Sequence, residues 1–193
     1  MAGRKQTSQA GRLRIVAGNW RSRLLDIADV EGLRPTSERV RETLFNWLTA
    51  HIHGARCLDA YAGTGALGLE ALSRGAKHVV FVEKSAVAAR QLRRNVEVLG
   101  AQGATVLQQD ALDFLRRAGT EPFDIVFLDP PFADDQVEET CRLLEEKRLL
   151  AAGALVYVEL PKNGAGAQFP PGWQVQKDKT AGNVRYMLVS AGD

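Results

Sequence analysis

Residues 57–84 read CLDAYAGTGALGLEALSRGAKHVVFVEK. A short apolar run ends at Asp59, a glycine-rich turn follows it, and a second apolar run ends at Glu83. An amphipathic helix that begins near Ala66 separates the two runs. A strand, a glycine-rich turn, a helix and a strand with an acidic end together form one βαβ unit of a parallel sheet. The sequence therefore predicts an open α/β sheet built outward from this unit.

The same unit carries the features of a ligand site. Gly63 and Gly65 allow the backbone to approach a ligand closely, and the following helix presents free N–H groups there. Glu83 lies at the carboxyl end of its strand, where a carboxylate can accept hydrogen bonds from both hydroxyls of a ribose. We expect the unit to bind a cofactor that contains a nucleoside.

Two cofactors fit this pattern, because Gly63-x-Gly65-x-x-Gly68 also satisfies the dinucleotide fingerprint. NAD is therefore one candidate, and S-adenosylmethionine (SAM) is the other. Asp59 precedes the first glycine by four residues, at the strand end, where its carboxylate can bind the ammonium of a methionine moiety. A second feature that favours SAM is the later sequence DPPF, residues 129–132. Together these features predict SAM.

Composition restricts the class of protein. The chain has 193 residues, of which 45% are hydrophobic and 25% charged, as in one ordinary soluble domain. It lacks a run long enough to span a membrane and lacks the apolar segment of a signal peptide, so we expect a cytoplasmic protein. Cys57 and Cys141 are predicted to be buried reduced thiols, and His51 and His53 lack ligand spacing. We expect a monomer without a metal site.

Positive charge is concentrated near the N-terminus. The first 25 residues carry a net charge of +6, whereas the whole chain carries +2 and the remainder therefore −4. Such a segment predicts contact with a polyanion. A solvated tail is the alternative, and it fits residues 1–10 well. The solvated-tail alternative fits Arg12–Leu25 less well, because arginines alternate there with apolar residues. We predict phosphate contacts from Arg12, Arg14, Arg21 and Arg23.

The N-terminal part reads as a hairpin followed by a helix. Leu13–Ala17 alternates as a strand does, Gly18 and Asn19 indicate a turn, and Trp20–Leu25 is predicted to return as the partner strand. Thr36 or Ser37 can cap the next helix. Val40, Leu44, Trp47 and Leu48 share its apolar face, and Arg39, Arg41 and Glu42 fall elsewhere. We treat residues 1–50 as an extension packed on a catalytic domain of residues 51–193.

The remaining elements continue the βαβ series and end in an antiparallel edge hairpin that turns at Gly182-Asn183. The pattern predicts helices at Ala86–Leu99, Leu112–Arg117 and Gln136–Leu150. It predicts strands at Thr105–Gln109, Phe123–Leu128, Leu155–Leu160, Trp173–Lys177 and Val184–Ser190.

The DPPF sequence carries the predicted chemistry. It follows an apolar strand and should lie at the ligand-binding edge of the sheet. The two prolines fix the backbone and remove two N–H donors, which leaves the carbonyl of Pro130 free to accept. Asp129 adds acceptors, and Phe132 can stack on a base. We therefore predict that Asp129, Pro130, Pro131 and Phe132 form a site for an exocyclic amine.

The first residue of this motif bears on the choice of base. An asparagine would offer one acceptor and one donor, which suits adenine. Guanine presents two adjacent donors, N1–H and N2–H, and a carboxylate can accept both. Asp129 therefore favours guanine N2, and it can take the proton that leaves the amine.

Five segments, taken together, resemble bacterial 16S ribosomal RNA guanine-N2 methyltransferases of the RsmD type. They are RIVAGNWRSRLL, GLRPTSERVRETLFNWL, CLDAYAGTGALGLEALSRGA, IVFLDPPF and ALVYVEL. The resemblance covers nearly all of the chain beyond the first ten residues. It implies a class I SAM-dependent methyltransferase fold: a Rossmann-like, doubly wound seven-stranded sheet with a C-terminal antiparallel hairpin and a small N-terminal extension. It also implies that the protein methylates one guanine of 16S rRNA, with the free rRNA, the 30S subunit or its assembly intermediate as the partner.

The resemblance further implies a set of cofactor contacts. Asp110 would bind the adenine amine, and the loop Leu33–Thr36 would cover the pocket. The predicted cofactor-binding residues are Asp59, Tyr61, Gly63, Gly65, Glu83, Lys84, Asp110, Ala111, Arg34 and Thr36. Three rival functions remain open: a DNA or other RNA amino-methyltransferase, a protein-glutamine methyltransferase, and a non-enzymatic nucleotide-binding module.

Overall fold

The computed structural model describes residues 11–30, 32–33, 35–117, 119–131, 136–164 and 166–192. The strands are β1 (Arg12–Arg14), β2 (Leu24–Asp26), β3 (Arg56–Asp59), β4 (His78–Glu83), β5 (Ala104–Gln108), β6 (Phe123–Leu128), β7 (Leu150–Pro161), β8 (Gln174–Ala181) and β9 (Val184–Ser190). The helices are α1 (Glu38–Trp47), α2 (Ala66–Ser73), α3 (Ala86–Leu99), α4 (Ala111–Arg117) and α5 (Val137–Glu146). No helix in these ranges is long and apolar enough to cross a bilayer.

The main sheet has seven strands in the order β5-β4-β3-β6-β7-β9-β8. The first five are mutually parallel, and β9 runs antiparallel to both β7 and β8. Helices α1, α2 and α3 pack on one face, and α4 and α5 pack on the other. This is the doubly wound sheet with an antiparallel end that the sequence predicted. The strand order reverses between β3 and β6, where open α/β sheets bind their ligands.

The buried stretches of the central strands are apolar on both faces, because helices cover both faces of the sheet. Cys57 packs on one side of the sheet and Leu58 on the other, and both side chains are fully buried. Gly68 explains how closely α2 approaches the sheet. A Cβ atom at this position would lie 2.2 Å from Phe81 Cε1, so the third glycine of the turn serves helix–strand packing.

The N-terminal hairpin is shorter than the alternation of its residues predicted. The paired strands are Arg12–Arg14 and Leu24–Asp26, and Ile15 adds backbone hydrogen bonds to Arg23 and Ser22. The backbone N–H groups of Val16 and Ala17 donate instead to the carboxylate of Glu70 on α2, at 2.9 Å each. A charged acceptor on the neighbouring helix therefore ends the strand early.

Two boundaries near the end of α5 also differ from the prediction. The helix ends at Glu146, because Arg148 adopts a left-handed conformation with φ of 53°. The apolar Leu149 and Leu150 then turn to the sheet, so β7 begins at Leu150 rather than at Leu155. Leu149 O accepts the Phe123 N–H at 2.8 Å, which aligns the new strand beside β6.

Candidate active site

A cavity of about 730 Å³ opens at the carboxyl ends of the parallel strands. Its walls come from the ends of β3, β4 and β6, from the start of α3, and from the loop before α1. It brings together these predicted residues: Asp59, Tyr61, Gly63, Glu83, Lys84, Asp110, Ala111, Thr36, Asp129, Pro130 and Pro131. The predicted residues Arg34 and Phe132 lie outside the described part of the chain.

The glycine turn is shaped by its two left-handed residues. Gly63 has φ of 52° and Gly65 has φ of 78°, conformations that other residues rarely adopt. Gly65 does not line the cavity. A Cβ atom there would lie 2.3 Å from Leu92 Cδ1, so this glycine allows α3 to pack against the start of α2.

Glu83 fixes the turn against the next helix. Its Oε2 accepts the Gly63 N–H at 2.7 Å, and its Oε1 accepts the Ser85 N–H at 2.6 Å. Each carboxylate oxygen retains a second lone pair. The side chain is thus held at the cavity wall with acceptor capacity left for a pair of ligand hydroxyls.

Asp59 is the most deeply buried acid of the cavity, with 2% of its surface exposed. Its Oδ2 accepts the Gly68 N–H at 3.0 Å. Burial, with a smaller contribution from the charge of Glu83, raises the pKa of Asp59 to about 7. A cationic ligand group beside it would favour the ionised form.

Asp110 caps a helix as well as lining the cavity. Its Oδ1 accepts the N–H groups of Leu112 at 2.9 Å and Asp113 at 3.2 Å, at the start of α4. Its Oδ2 lies 3.5 Å from Lys84 Nζ. The cap orients one oxygen, and the other, beside Lys84, retains a lone pair that can accept from a donor in the cavity.

Three adjacent strands end in carboxylates on one face of the sheet: Asp59 on β3, Asp129 after β6 and Glu159 on β7. Thr36 Oγ1 donates to Asp129 Oδ2 at 3.4 Å, and Tyr157 Oη donates to Glu159 Oε1 at 2.7 Å. Burial raises the pKa of Asp129 well above its usual range, and the charges of Glu159 and Asp59 add to the effect. Burial also raises the pKa of Glu159. Full ionisation of the row is therefore unfavourable until a ligand supplies donors or positive charge at this end of the cavity.

Sequence reasoning missed Glu159. The signal was present, because the apolar run ALVYV ends in this glutamate just as the runs before Asp59, Glu83 and Asp129 end in acids. An acid at the carboxyl end of a buried parallel strand faces the ligand edge of the sheet.

The assignment of Arg41 to the polar side of α1 was wrong. The side chain is 1% exposed, and Nη1 donates to Glu70 Oε2 at 2.9 Å. Nε donates to Thr36 O at 3.1 Å, and Nη2 donates to Arg14 O at 2.8 Å. Every branch of the guanidinium has an acceptor, which explains how a charge is accommodated there. Arg41 thereby anchors the loop that carries the Thr36 hydroxyl.

The four arginines predicted to meet phosphates are all exposed. Arg12 lies 4.0 Å from Asp26 and Arg14 lies 3.7 Å from Glu38, so both have a carboxylate neighbour. Arg23 instead donates to the backbone oxygen of Val98 at 3.2 Å, near the end of α3.

Comparison with known proteins agrees with this architecture. A relative from Haemophilus influenzae, named ribosomal RNA small subunit methyltransferase D, is 48% identical over 95% of this chain and 96% of its own. The protein of the same name from Escherichia coli K12 is 47% identical over 94% of this chain and 91% of its own. The solved structure of YhhF from Escherichia coli superposes with a TM-score of 0.88 at 43% identity and covers 94% of this chain and 99% of that one.

The sequence profile of the family described as conserved hypothetical protein 95 matches residues 13–190. That match spans most of the chain and includes every strand of the main sheet. The chain therefore belongs to the conserved hypothetical protein 95 family and groups with the RsmD-type methyltransferases, as its motifs predicted.

Proposed function

We propose that this protein transfers the methyl group of SAM to the exocyclic N2 of a guanine in 16S rRNA. One observation carries the proposal: a single cavity contains both the acidic and glycine-rich wall that suits a nucleoside cofactor and the acceptor row at Asp129. The names of the two relatives, small subunit rRNA methyltransferases, support RNA as the substrate.

The cavity residues suit SAM in the following way. Glu83 accepts from the ribose hydroxyls, Asp59 binds the ammonium of the methionine moiety, and Asp110 accepts from the adenine amine. SAM supplies a methyl group on a sulfonium, which is already a strong electrophile. The other predicted contacts, including Thr36 and Lys84, line the same cavity.

The chemistry left to the protein is orientation of the amine and removal of a proton. Asp129 Oδ1 and the Pro130 carbonyl accept the amine hydrogens and hold the nitrogen in position, which lowers the entropic cost of attack. As the new N–C bond formed, the S–CH₃ bond of SAM would break and leave S-adenosylhomocysteine, and the N2 proton would pass to Asp129. Burial raises the pKa of Asp129, which makes its carboxylate a stronger base than that of a solvent-exposed aspartate.

RNA contact by the basic segment complements this site. Arg23 contacts the carbonyl of Val98, and Ser85, 13 residues earlier, caps α3 at the cavity. At 1.5 Å per residue these positions are roughly 20 Å apart. The arginines of the turn would therefore bind phosphates remote from the target base. The carboxylate neighbours of Arg12 and Arg14 reduce the charge that these two residues offer to RNA.

The decisive experiment offers tritiated SAM with 30S particles, DNA or protein, and then maps the modified nucleotide by mass spectrometry. We expect methylation of one guanine at N2 in the particles. The variant Asp129→Ala should keep its affinity for SAM and lose most of the transfer, whereas Asp113→Ala, on the exposed side of α4, should behave as the wild type. Label in DNA or protein alone would support one of the rival functions, and full turnover by Asp129→Ala would refute the role of that carboxylate.

A further inference from the structure

The pairing of β6 with β7 places two acids side by side. Leu128 is in register with Val158, so Asp129 and Glu159 occupy equivalent next positions on neighbouring parallel strands. Such strands lie about 4.8 Å apart. Side chains alternate between faces, and Leu128 and Val158 both pack toward α4 and α5. The two carboxylates therefore share the opposite face, and both line the cavity.

The hydrogen bonds of this pair leave one oxygen of each acid available. Asp129 Oδ2 accepts from Thr36, and Glu159 Oε1 accepts from Tyr157. Within the described residues, no buried side-chain oxygen or nitrogen lacks a partner. The bonds from Thr36 and Tyr157 each occupy one oxygen of their acceptor, Asp129 Oδ2 and Glu159 Oε1. Two neighbouring acceptors are thus left for a ligand that enters the cavity.

The Thr36 hydroxyl also lies close enough to Glu159 to favour its ionised form. A hydroxyl carries one proton, so it can donate to only one of the two carboxylates at a time. The pair consequently has more acceptor capacity than its protein neighbours can satisfy. A ligand that presents several N–H donors in a row would satisfy it.

We propose that Glu159 is the second acceptor of the base subsite and binds the N1–H of the target base, while Asp129 and the Pro130 carbonyl bind the exocyclic amine. This assignment rests on the proposed function and extends it to base selection. Guanine presents N1–H directly beside its amine. In 2-aminopurine the same amine lies beside an unprotonated N1, whose lone pair would face the Glu159 carboxylate. The subsite would therefore reject an amine-bearing base that lacks the neighbouring donor.

The test compares two RNAs whose target bases both carry the exocyclic amine but differ at N1 and at the adjacent C6, where only guanine has an N–H and a carbonyl. Small-subunit particles are reconstituted with either guanine or 2-aminopurine at the mapped position, and kcat/KM for methyl transfer is measured on each. We expect the wild-type protein to prefer guanine by at least about 100-fold, as sites built around a substrate N–H do. Comparable transfer to 2-aminopurine by the wild-type protein would overturn the proposal without any variant.

Glu159→Gln then tests the residue itself. The new amide can donate to the N1 lone pair of 2-aminopurine. The ratio of kcat/KM on guanine to kcat/KM on 2-aminopurine should therefore fall by at least about tenfold, the effect of one charged hydrogen bond. Glu121→Gln, at the opposite edge of the sheet, is the matched control and should keep the wild-type preference. SAM affinity should be unchanged in both variants, which reports that the fold is intact.

The outcomes separate the two proposals. If Glu159→Gln slows transfer to both RNAs by the same factor, or leaves both unchanged, Glu159 does not read the base, and this inference is wrong. If the wild-type protein transfers a methyl group to neither RNA, the proposed function itself fails.

Discussion

Replacing Asp59 with asparagine should make the protein more stable and a poorer binder of SAM. The substitution keeps the shape of the side chain and an oxygen that can accept the Gly68 N–H, now 3.0 Å from Oδ2. It removes a carboxylate whose ionisation in a buried position lowers the free energy of unfolding. The pKa of Asp59 is raised from 3.8 to about 7 in the folded protein, chiefly by burial. The folded state therefore holds its proton more tightly than the unfolded chain does.

The sign and the size of the stability change follow from this shift in pKa. Between the unfolded and folded pKa values the folded state binds more protons, so its stability falls as the pH rises through that window. Each pKa unit corresponds to about 1.4 kcal/mol, so the shift from 3.8 to about 7 amounts to about 4 kcal/mol above pH 7. The free energy of unfolding of Asp59→Asn should therefore exceed that of the wild type by about 4 kcal/mol at pH 8 and by about 2 kcal/mol at pH 5.

Urea unfolding of the wild type and Asp59→Asn at pH 5 and pH 8 measures this difference in free energy of unfolding. Asp113→Asn, on the exposed face of α4, serves as the control. Because the lost charge would face the ammonium of SAM, affinity at pH 8 should fall by at least about tenfold, measured by calorimetry. A stability gap that does not widen from pH 5 to pH 8 would refute the account of the buried carboxylate. Unchanged SAM affinity would refute its assignment to the ammonium.

Three further predictions follow from other contacts. Glu83→Gln should weaken SAM binding by at least about tenfold in calorimetry, because a charged acceptor for the ribose is lost; unchanged affinity would contradict the ribose assignment. Arg41→Met should lower the free energy of unfolding by about 3 kcal/mol in urea, since it leaves the buried Glu70 carboxylate with one cationic partner, Arg74, in place of two. A loss below about 0.5 kcal/mol would show that the Arg41–Glu70 ion pair is dispensable. Arg21→Gln combined with Arg23→Gln should reduce the slope of log affinity for rRNA against log salt by about 1.5, with SAM affinity unchanged; an unaltered slope would place the RNA surface elsewhere.

The sheet was predictable because its central strands are buried on both sides and therefore read as unbroken apolar runs. The bounds of α3, β6 and β9 agree with the prediction to the residue. The acids at strand ends were also predictable, since their position relative to a glycine turn or a proline pair has a local meaning. The proposed roles of these residues remain to be tested by the variants above.

Long-range polar contacts were not predictable in this way. Arg41 looked like a surface residue of an amphipathic helix, because its partner Glu70 lies 29 residues away on another element. The early end of β1 has the same origin, since the alternation of Ile15, Val16 and Ala17 carries no sign of an acceptor on α2. Glu159 ends an apolar run as the other acids do, but its neighbour Asp129 is identified only by the register of β6 and β7.

The contacts of Glu70 have a consequence for synthesis of the chain. The Val16 N–H bonds to a residue 54 positions later, and Arg41 joins the same carboxylate. Residues 16 and 17 leave the ribosome before α2, so they have no access to this acceptor until α2 has emerged and folded. Their two backbone donors and the Arg41 charge must stay hydrated during that interval. Native positioning of this N-terminal segment therefore depends on the synthesis and folding of α2.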